Sequence, residues 1–236
     1  MSIILAIETS TELASAALLH GDELIFRESL GVQTHSETIL PMVQQLLVQA
    51  GIALSRCDAI AFGVGPGSFT GVRTACGVVQ GLAFGCDLPV APVVTLEAMA
   101  QACLEATQGA ANDVLAVLDA RMGEVYWAQY RHGADGWESV IAPSLSSAAA
   151  VMSQGHVQAC GNGLAAYAQD FASQPFAAAA LAQLMPHAAQ VATLGRRMVA
   201  QGKTVSLEEA QPLYLRNKVA LTTAERQVRD LAKGAA

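Results

Sequence analysis

An α/β fold built twice over, with two mixed sheets flanked by helices, is what this sequence predicts, and three observations predict it. The opening segment IILAIETSTELASAALLHGDELIFRESL reads as a meander of three strands joined by polar turns. A second segment, DVLAVLDARMGEVYWAQYRHGADGWESVI, repeats the same plan, so the chain is internally duplicated. After the first meander, helical apolar stripes alternate with short, wholly apolar runs, the pattern of buried strands between helices.

The first meander has a strand ending at Glu8, a second strand to about Leu19, a HisGlyAsp turn and a third strand. Thr34 and Glu37 then stand in capping-box spacing ahead of Ile39, Val43, Leu46, Leu47 and Ala50, which predicts a helix from about His35 to Ala50. Pro41 either kinks that helix or marks its true first turn. CDAIAFGVG reads as a buried strand, GPGSFTGVR as a glycine-rich turn into a helix from about Thr70 to Gly85, PVAPVV as a strand and TLEAMAQACLEA as a helix. The second meander has a strand ending at Asp119, a strand from Glu124 to Arg131, a Gly/Asp turn and a third strand. Beyond it lie a strand at VQACG, a turn at Gly161-Asn162-Gly163 and helices to about Gln201. The tail from Leu207 has no strong periodicity and ends in the mixed-charge run AERQVRDLAKG. The expected boundaries are a first unit over 1–109, a second over 110–205, and a tail over 206–236 that returns to the first unit. The order βββαβαβα resembles the duplicated fold shared by actin, the chaperone ATPases and the sugar kinases.

Composition narrows the function classes. With 236 residues, 53% hydrophobic and 14% charged, the chain has ample apolar surface for one large core or two small ones. The five cysteines, Cys57, Cys76, Cys86, Cys103 and Cys160, are odd in number and form no CxxC pair, which fits reduced thiols in a cytoplasmic protein. A net charge of −7 and a pI near 5.1 repel a phosphate backbone, so direct nucleic-acid binding by this chain alone is not expected. Met1 leads straight into Ile3–Ile7 without a basic region and a long apolar stretch, so no secretory signal is read. The uncharged stretch from Phe171 to Gly195 is long enough to span a bilayer, yet it is Ala-rich and carries Gln174, Pro175, Gln183, Pro186, His187 and Gln190. It reads as soluble helices and a loop, with no membrane partner.

In the actin-like superfamily the loop between the first two strands approaches nucleotide phosphates. Here that loop is Glu8, Thr9, Ser10 and Thr11, whose hydroxyls could bond phosphate oxygens or equally satisfy their own turn. The run Gly65 to Arg73 offers Gly65, Gly67, Ser68 and Thr70 at a helix N-terminus, with Arg73 as the side chain to meet an anion. It is no Walker A loop, because the closing Lys is absent, and tight packing explains its glycines as well as anion binding does. Catalytic constellations are thin. His20 and His132 fall in hairpin turns, where exposure is expected, and His35 at a helix start, where it faces solvent or caps. Asp119, Arg121 and Glu124 form a charged cluster of the kind that makes modest surface pairs. Tyr126 and Trp127 lie on opposite faces of one strand, and core packing accounts for at least one.

ILAIETST, GPGSFTGVR, LDARMGEVYWAQY and YLRN near Tyr214 together resemble the TsaB family, also called YeaZ, across nearly the whole chain. That family is similar to its own partner, the transferase TsaD, which uses a metal held by an HxxxH pair. The corresponding positions here are Thr95 and Met99, neither of which replaces imidazole, so no metal site and no catalytic residue carry over. The resemblance therefore implies a non-catalytic scaffold that binds TsaD as a heterodimer and, with it, the ATPase TsaE. ATP/ADP and metal would belong to the complex, tRNA would be met only through it, and the chain alone would form a homodimer. The alternative is an enzyme in its own right, a metal-dependent peptidase or an ATP-hydrolysing kinase-like protein. The resemblance also locates the partner surface on the helices over 35–50 and 70–85. The residues supply a reason: Gly71, Gly77, Gly81 and Gly85 with Ala75 and Ala83 leave little bulk on the second helix, and Leu40, Leu47 and Val48 lie off the main stripe of the first. The interface candidates are Ile39, Leu40, Val43, Leu47, Gly71, Ala75, Val78, Val79 and Leu82.

Overall fold

A computed structural model describes residues 2–31 and 35–216. The first sheet joins β1 (Ile3–Glu8), β2 (Leu13–His20), β3 (Glu23–Leu30), β4 (Ala59–Gly65) and β5 (Val90–Val94) in the order β3-β2-β1-β4-β5. The meander β1–β3 is antiparallel, while β4 and β5 run parallel to β1. Parallel neighbours require crossovers, and α1 (His35–Ala50) and α2 (Phe69–Cys86) supply them. β1 and β4 are buried along their whole lengths. Leu5, Ile7, Ile60 and Phe62 face α1 and α2, and Ile4, Ala6, Ala59 and Ala61 face the other side.

The second sheet, order β8-β7-β6-β9, holds β6 (Asp113–Arg121), β7 (Glu124–Gly133), β8 (Gly136–Ser147) and the short β9 (Gln158–Cys160). The β6–β7 connection passes through Met122 and Gly123, both at positive φ, as a two-residue hairpin with right-handed strand twist requires. The order β8-β7-β6-β9 repeats β3-β2-β1-β4 of the first sheet, so the expected duplication of mixed sheets is present, but the second copy is abbreviated. Where the first has the long helix α1, the second has a 3-10 turn over Ala148–Ala150, the very short α4 (Gly163–Ala166) and α5 (Ala168–Phe171), and irregular chain.

The two copies exchange helices. α3 (Thr95–Ala106) follows the first sheet in sequence, yet Leu96, Met99, Ala100 and Cys103 pack with Val114, Ala116 and Leu118 of β6. α6 (Ala188–Ala200) follows the second sheet, yet Ala188, Val191, Ala192 and Leu194 pack on Ile4, Ala6, Ala61 and Ala91 of the first. Close approach depends on small residues: a Cβ on Gly195 would come within 2.5 Å of the Ala61 Cβ. The expected boundary of 110–205 for the second unit is thus corrected, since its last helix belongs to the first sheet. Residues 205–216 then run back along the first unit, Val205 bridging Val90 and the Leu213 N–H bonding the Val64 carbonyl at 2.8 Å.

Helix α1 runs through Pro41, so that proline does not mark its first turn. Thr34 of the expected capping box, and the end of the tail, lie outside the described residues. His35 is a correction: it is buried, its Nε2 3.4 Å from the Glu12 carbonyl, because the helix start tucks under the β1–β2 turn. His132 pairs with Trp137 across β7–β8 and lies edge-on to its ring at 4.9 Å, so it is half-buried rather than exposed. His20 is exposed. Tyr126 and Trp127 are both core residues, one on each face of the second sheet. No helix among the described residues is long and apolar enough to cross a membrane.

Candidate functional site

The β1–β2 turn and the glycine-rich loop are packed against each other. The Thr9 hydroxyl donates to the Gly71 carbonyl at 2.7 Å, and the Ser68 N–H donates to the Ser10 carbonyl at 2.7 Å. A Cβ on Gly71 would overlap the Thr9 carbonyl oxygen, and one on Gly67 would come within 2.5 Å of the Ser10 carbonyl oxygen. These two glycines are therefore required by close approach, the packing alternative for this motif. Gly65, at φ +103°, turns the chain out of β4, and the Ser68 hydroxyl caps α2 by accepting from the Gly71 N–H at 3.4 Å.

Glu8 is fully buried in space left by Gly63, where any Cβ would overlap its carboxylate. Oε1 accepts from the Ser10 N–H at 2.6 Å and Oε2 from the Thr95 hydroxyl at 3.4 Å. Burial raises the carboxyl above its ordinary range, with the hydrogen bonds from Ser10 and Thr95 opposing that shift. The sequence expectation for this turn needs correcting: Glu8 and Thr9 point inward, their polar atoms engaged by the protein, and neither can meet a ligand in this arrangement. Thr95 also accepts from the Gly65 N–H at 3.1 Å, so one hydroxyl pins both segments. Met99 is buried in the core of the second sheet, beneath Gly161, where an added Cβ would overlap the Met99 methyl. A hydroxyl spent inside the fold and a thioether in an apolar core do not fit a metal. Among the described residues no three His, Cys, Asp or Glu side chains converge to hold one.

Between the two units lies a cleft of about 320 Å³. The first unit contributes Ser10, Gly67, Ser68, Phe69 and Val72, the second Leu118, Asp119, Arg121 and Asn162, and the returning chain Leu213 to Arg216. Its charges are largely paired. Arg121 lies 3.0 Å from Asp119, whose other oxygen accepts from the Tyr167 hydroxyl at 3.0 Å. Glu124 bonds Arg216 at 2.6 Å rather than joining Asp119 and Arg121 as one cluster. At the mouth, Arg73 does not project freely: its guanidinium sits 3.4 Å over the Phe69 ring and 5.2 Å from that of Tyr214. Thr70 is exposed beside them.

A second concavity, about 490 Å³, lies on the outer surface of the first unit and is mostly apolar, with Gln44 among its lining. Leu40, Val43, Leu47 and Val48 of α1, the connection Ile52–Leu54, and Leu82 of α2 line it. Leu40 is 48% exposed, Val48 74%, and Phe84 on the neighbouring α2 turn 78%. Along the same helix a Cβ added at Gly77, Gly81 or Gly85 would meet nothing within 4 Å.

Comparison with known proteins decides the family. The model described as "TsaD: tRNA N6-adenosine threonylcarbamoyltransferase" matches residues 29–233. A Haemophilus influenzae protein named "tRNA threonylcarbamoyladenosine biosynthesis protein TsaB" is 40% identical over 227 residues, covering 92% of this chain and 94% of its own. An Escherichia coli protein of the same name is 40% identical over 223 residues, covering 92% and 96%. The solved structure "YeaZ from Pseudomonas aeruginosa" superposes with a TM-score of 0.83 at 39% identity, over 91% of this chain and 100% of that one. The chain belongs to the TsaB family. A second Pseudomonas aeruginosa structure, described as uncharacterized with similarity to peptidase YEAZ, gives a TM-score of 0.85 at 39% identity, with 92% and 100% covered.

For this TsaB-family chain the nine interface candidates divide sharply. Ile39, Val43, Gly71, Ala75 and Val79 are buried within the first unit, so they support the two helices from beneath and offer no open surface; Val43 reaches only the floor of the groove. Leu40 is exposed, and Leu47, Val78 and Leu82 are half-buried. Spacing alone marks an apolar helix position; which side faces the sheet is set by the packing of α1 and α2 together. Phe69, Phe84, Tyr214 and Arg216 were missed by sequence reasoning, although the YLRN run that carries the resemblance contains the last two.

Proposed function

We propose that this chain is a non-catalytic scaffold in the formation of threonylcarbamoyladenosine in tRNA, binding the transferase TsaD as a heterodimer and, through that pair, the ATPase TsaE. The observation that carries this reading is the apolar groove beside an open glycine face on α1 and α2. A monomer that leaves Leu40, Val48 and Phe84 wet gains by covering them, at about 25 cal/mol for each Å² buried. Family membership names the process, and the occupied Glu8 turn and unsuitable Thr95 and Met99 favour a structural role over an enzymatic one. Nucleotide and metal are supplied by the partners, and tRNA is met through the complex, because the chain is acidic. Without TsaD the same surface closes on a second copy, in the cytoplasm.

Reconstitution tests this. The chain alone should leave tRNA unmodified and should show no submicromolar tRNA binding at ~150 mM salt, where phosphate contacts are strongly weakened. With TsaD, TsaE, threonylcarbamoyl-AMP and ATP, its addition should restore modification. Threonylcarbamoyl transfer by the chain alone, or full modification by TsaD and TsaE without it, would overturn the reading.

A further inference from the structure

The returning chain does more than cover the first unit. Its early part is fixed there: Val205 and Val90 exchange two backbone hydrogen bonds, at 3.0 and 2.8 Å, and the Ala210 carbonyl accepts from the Gln80 amide at 2.9 Å and from the Cys76 thiol at 3.2 Å. Leu207 and Leu213 pack on the first core. Two residues later the allegiance changes. Leu215 packs on the core of the second sheet, and Arg216 bonds Glu124 on β7 while its other contacts are the Arg121 carbonyl at 3.5 Å and the Met122 sulfur at 3.6 Å. All three belong to the β6–β7 hairpin that forms the far wall of the cleft.

We propose that residues 205–216 form a clasp across the interdomain cleft, anchored on α2 and releasable at Arg216, which sets how far the β6–β7 hairpin opens. The anchor consists of two backbone hydrogen bonds, the Gln80 and Cys76 contacts and the half-buried Leu207 and Leu213, whereas the far end holds through the half-buried Leu215 and one guanidinium whose short bond is to the half-exposed Glu124 carboxylate and whose other two contacts are long, so the two ends differ in strength. Cys76 and Gln80, which hold the anchor, flank Gly77 and precede Gly81 on the open face of α2. Events on that face and the position of the hairpin are thereby connected through one segment. The inference is independent of which partner covers α2.

Amide hydrogen exchange on the full chain, wild type against Arg216→Ala and Glu124→Gln, tests the clasp. Both variants should speed exchange in 119–126 by about five- to tenfold, the effect of losing one charge-assisted bond from a local opening equilibrium. Protection at Val90 and Val205 should be unchanged. Arg216→Lys should recover part of the protection, since it restores the charge but not the guanidinium, whose Nη2 serves both Glu124 and the Arg121 carbonyl. Unchanged exchange in the hairpin would overturn the proposal. So would an equal rise across the whole chain, which would mean that Arg216 supports global stability instead.

Discussion

At the residue scale, glycine separates two roles that sequence cannot tell apart. Gly71 and Gly77 are both helical glycines of α2, and each forgoes about 1 kcal/mol of helix propensity relative to Ala. At Gly71 a methyl group would overlap the Thr9 carbonyl, whereas at Gly77 it would enter open space. Gly71→Ala should therefore destabilise the chain by about 1–3 kcal/mol or more, as overpacking against backbone does. Gly77→Ala should stabilise the isolated chain by about 1 kcal/mol. Urea denaturation of the two variants checks both signs, and equal effects would undo the distinction. The same contrast explains what could be read in the motif. GPGSFTGVR announces a strand-to-helix turn, but only the neighbouring Thr9–Ser10 backbone, more than fifty residues away in sequence, reveals which glycines are demanded by contact.

At the scale of elements, nearly every strand and helix of the first unit was legible from local pattern. α1, α2 and α3 follow apolar spacing, and β1, β4 and β5 are short apolar runs between turn signals. The partner of each helix was not legible. α6 has a clear apolar stripe, but stripes do not encode which sheet they meet, and its exchange with α3 depends on small residues such as Gly195 and Ala61 fitting across the units. His187 shows how that helix is tied down. Its Nδ1 accepts the Ala189 N–H at 3.0 Å as the N-cap, which requires that nitrogen to be unprotonated, while Nε2 lies 3.2 Å from Glu28 of β3, off the hydrogen-bond line. Burial lowers the imidazole below its ordinary value, with Glu28 and Glu105 opposing more weakly. The folded state thus binds fewer protons than the unfolded one. The stabilisation is present above the unfolded value of 6.5 and is lost as pH falls from there toward the lower folded value. His187→Asn keeps a capping oxygen without titrating, so its stability should fall less between pH 7 and pH 5 than that of wild type. Parallel chemical-denaturation curves across that range make the comparison, and identical slopes would remove His187 from the account.

For the whole molecule, two sheets of matching strand order are joined by exchanged helices, α3 on the second and α6 on the first. In the β1–β2 turn Glu8 and Thr9 are engaged inside the protein, while Ser10 lines the cleft with its hydroxyl unpartnered, and the abbreviated second copy keeps a sheet but few long helices. On the outside, α1 and α2 carry Leu40, Val48 and Phe84 exposed, the first two lining one groove. Exposure was legible only in part, because off-stripe apolar positions such as Leu47 settle half-buried against the core while Val79 lies wholly within it. Binding of TsaD by Val48→Glu and Phe84→Glu variants, measured by sedimentation alongside thermal unfolding, tests the scaffold reading most directly. Both positions are open in the free chain, so unfolding temperatures should stay near wild type. Affinity for TsaD should drop by at least tenfold, since each variant places an unpaired carboxylate in an apolar contact. Folded variants that bind TsaD as tightly as wild type would contradict the account.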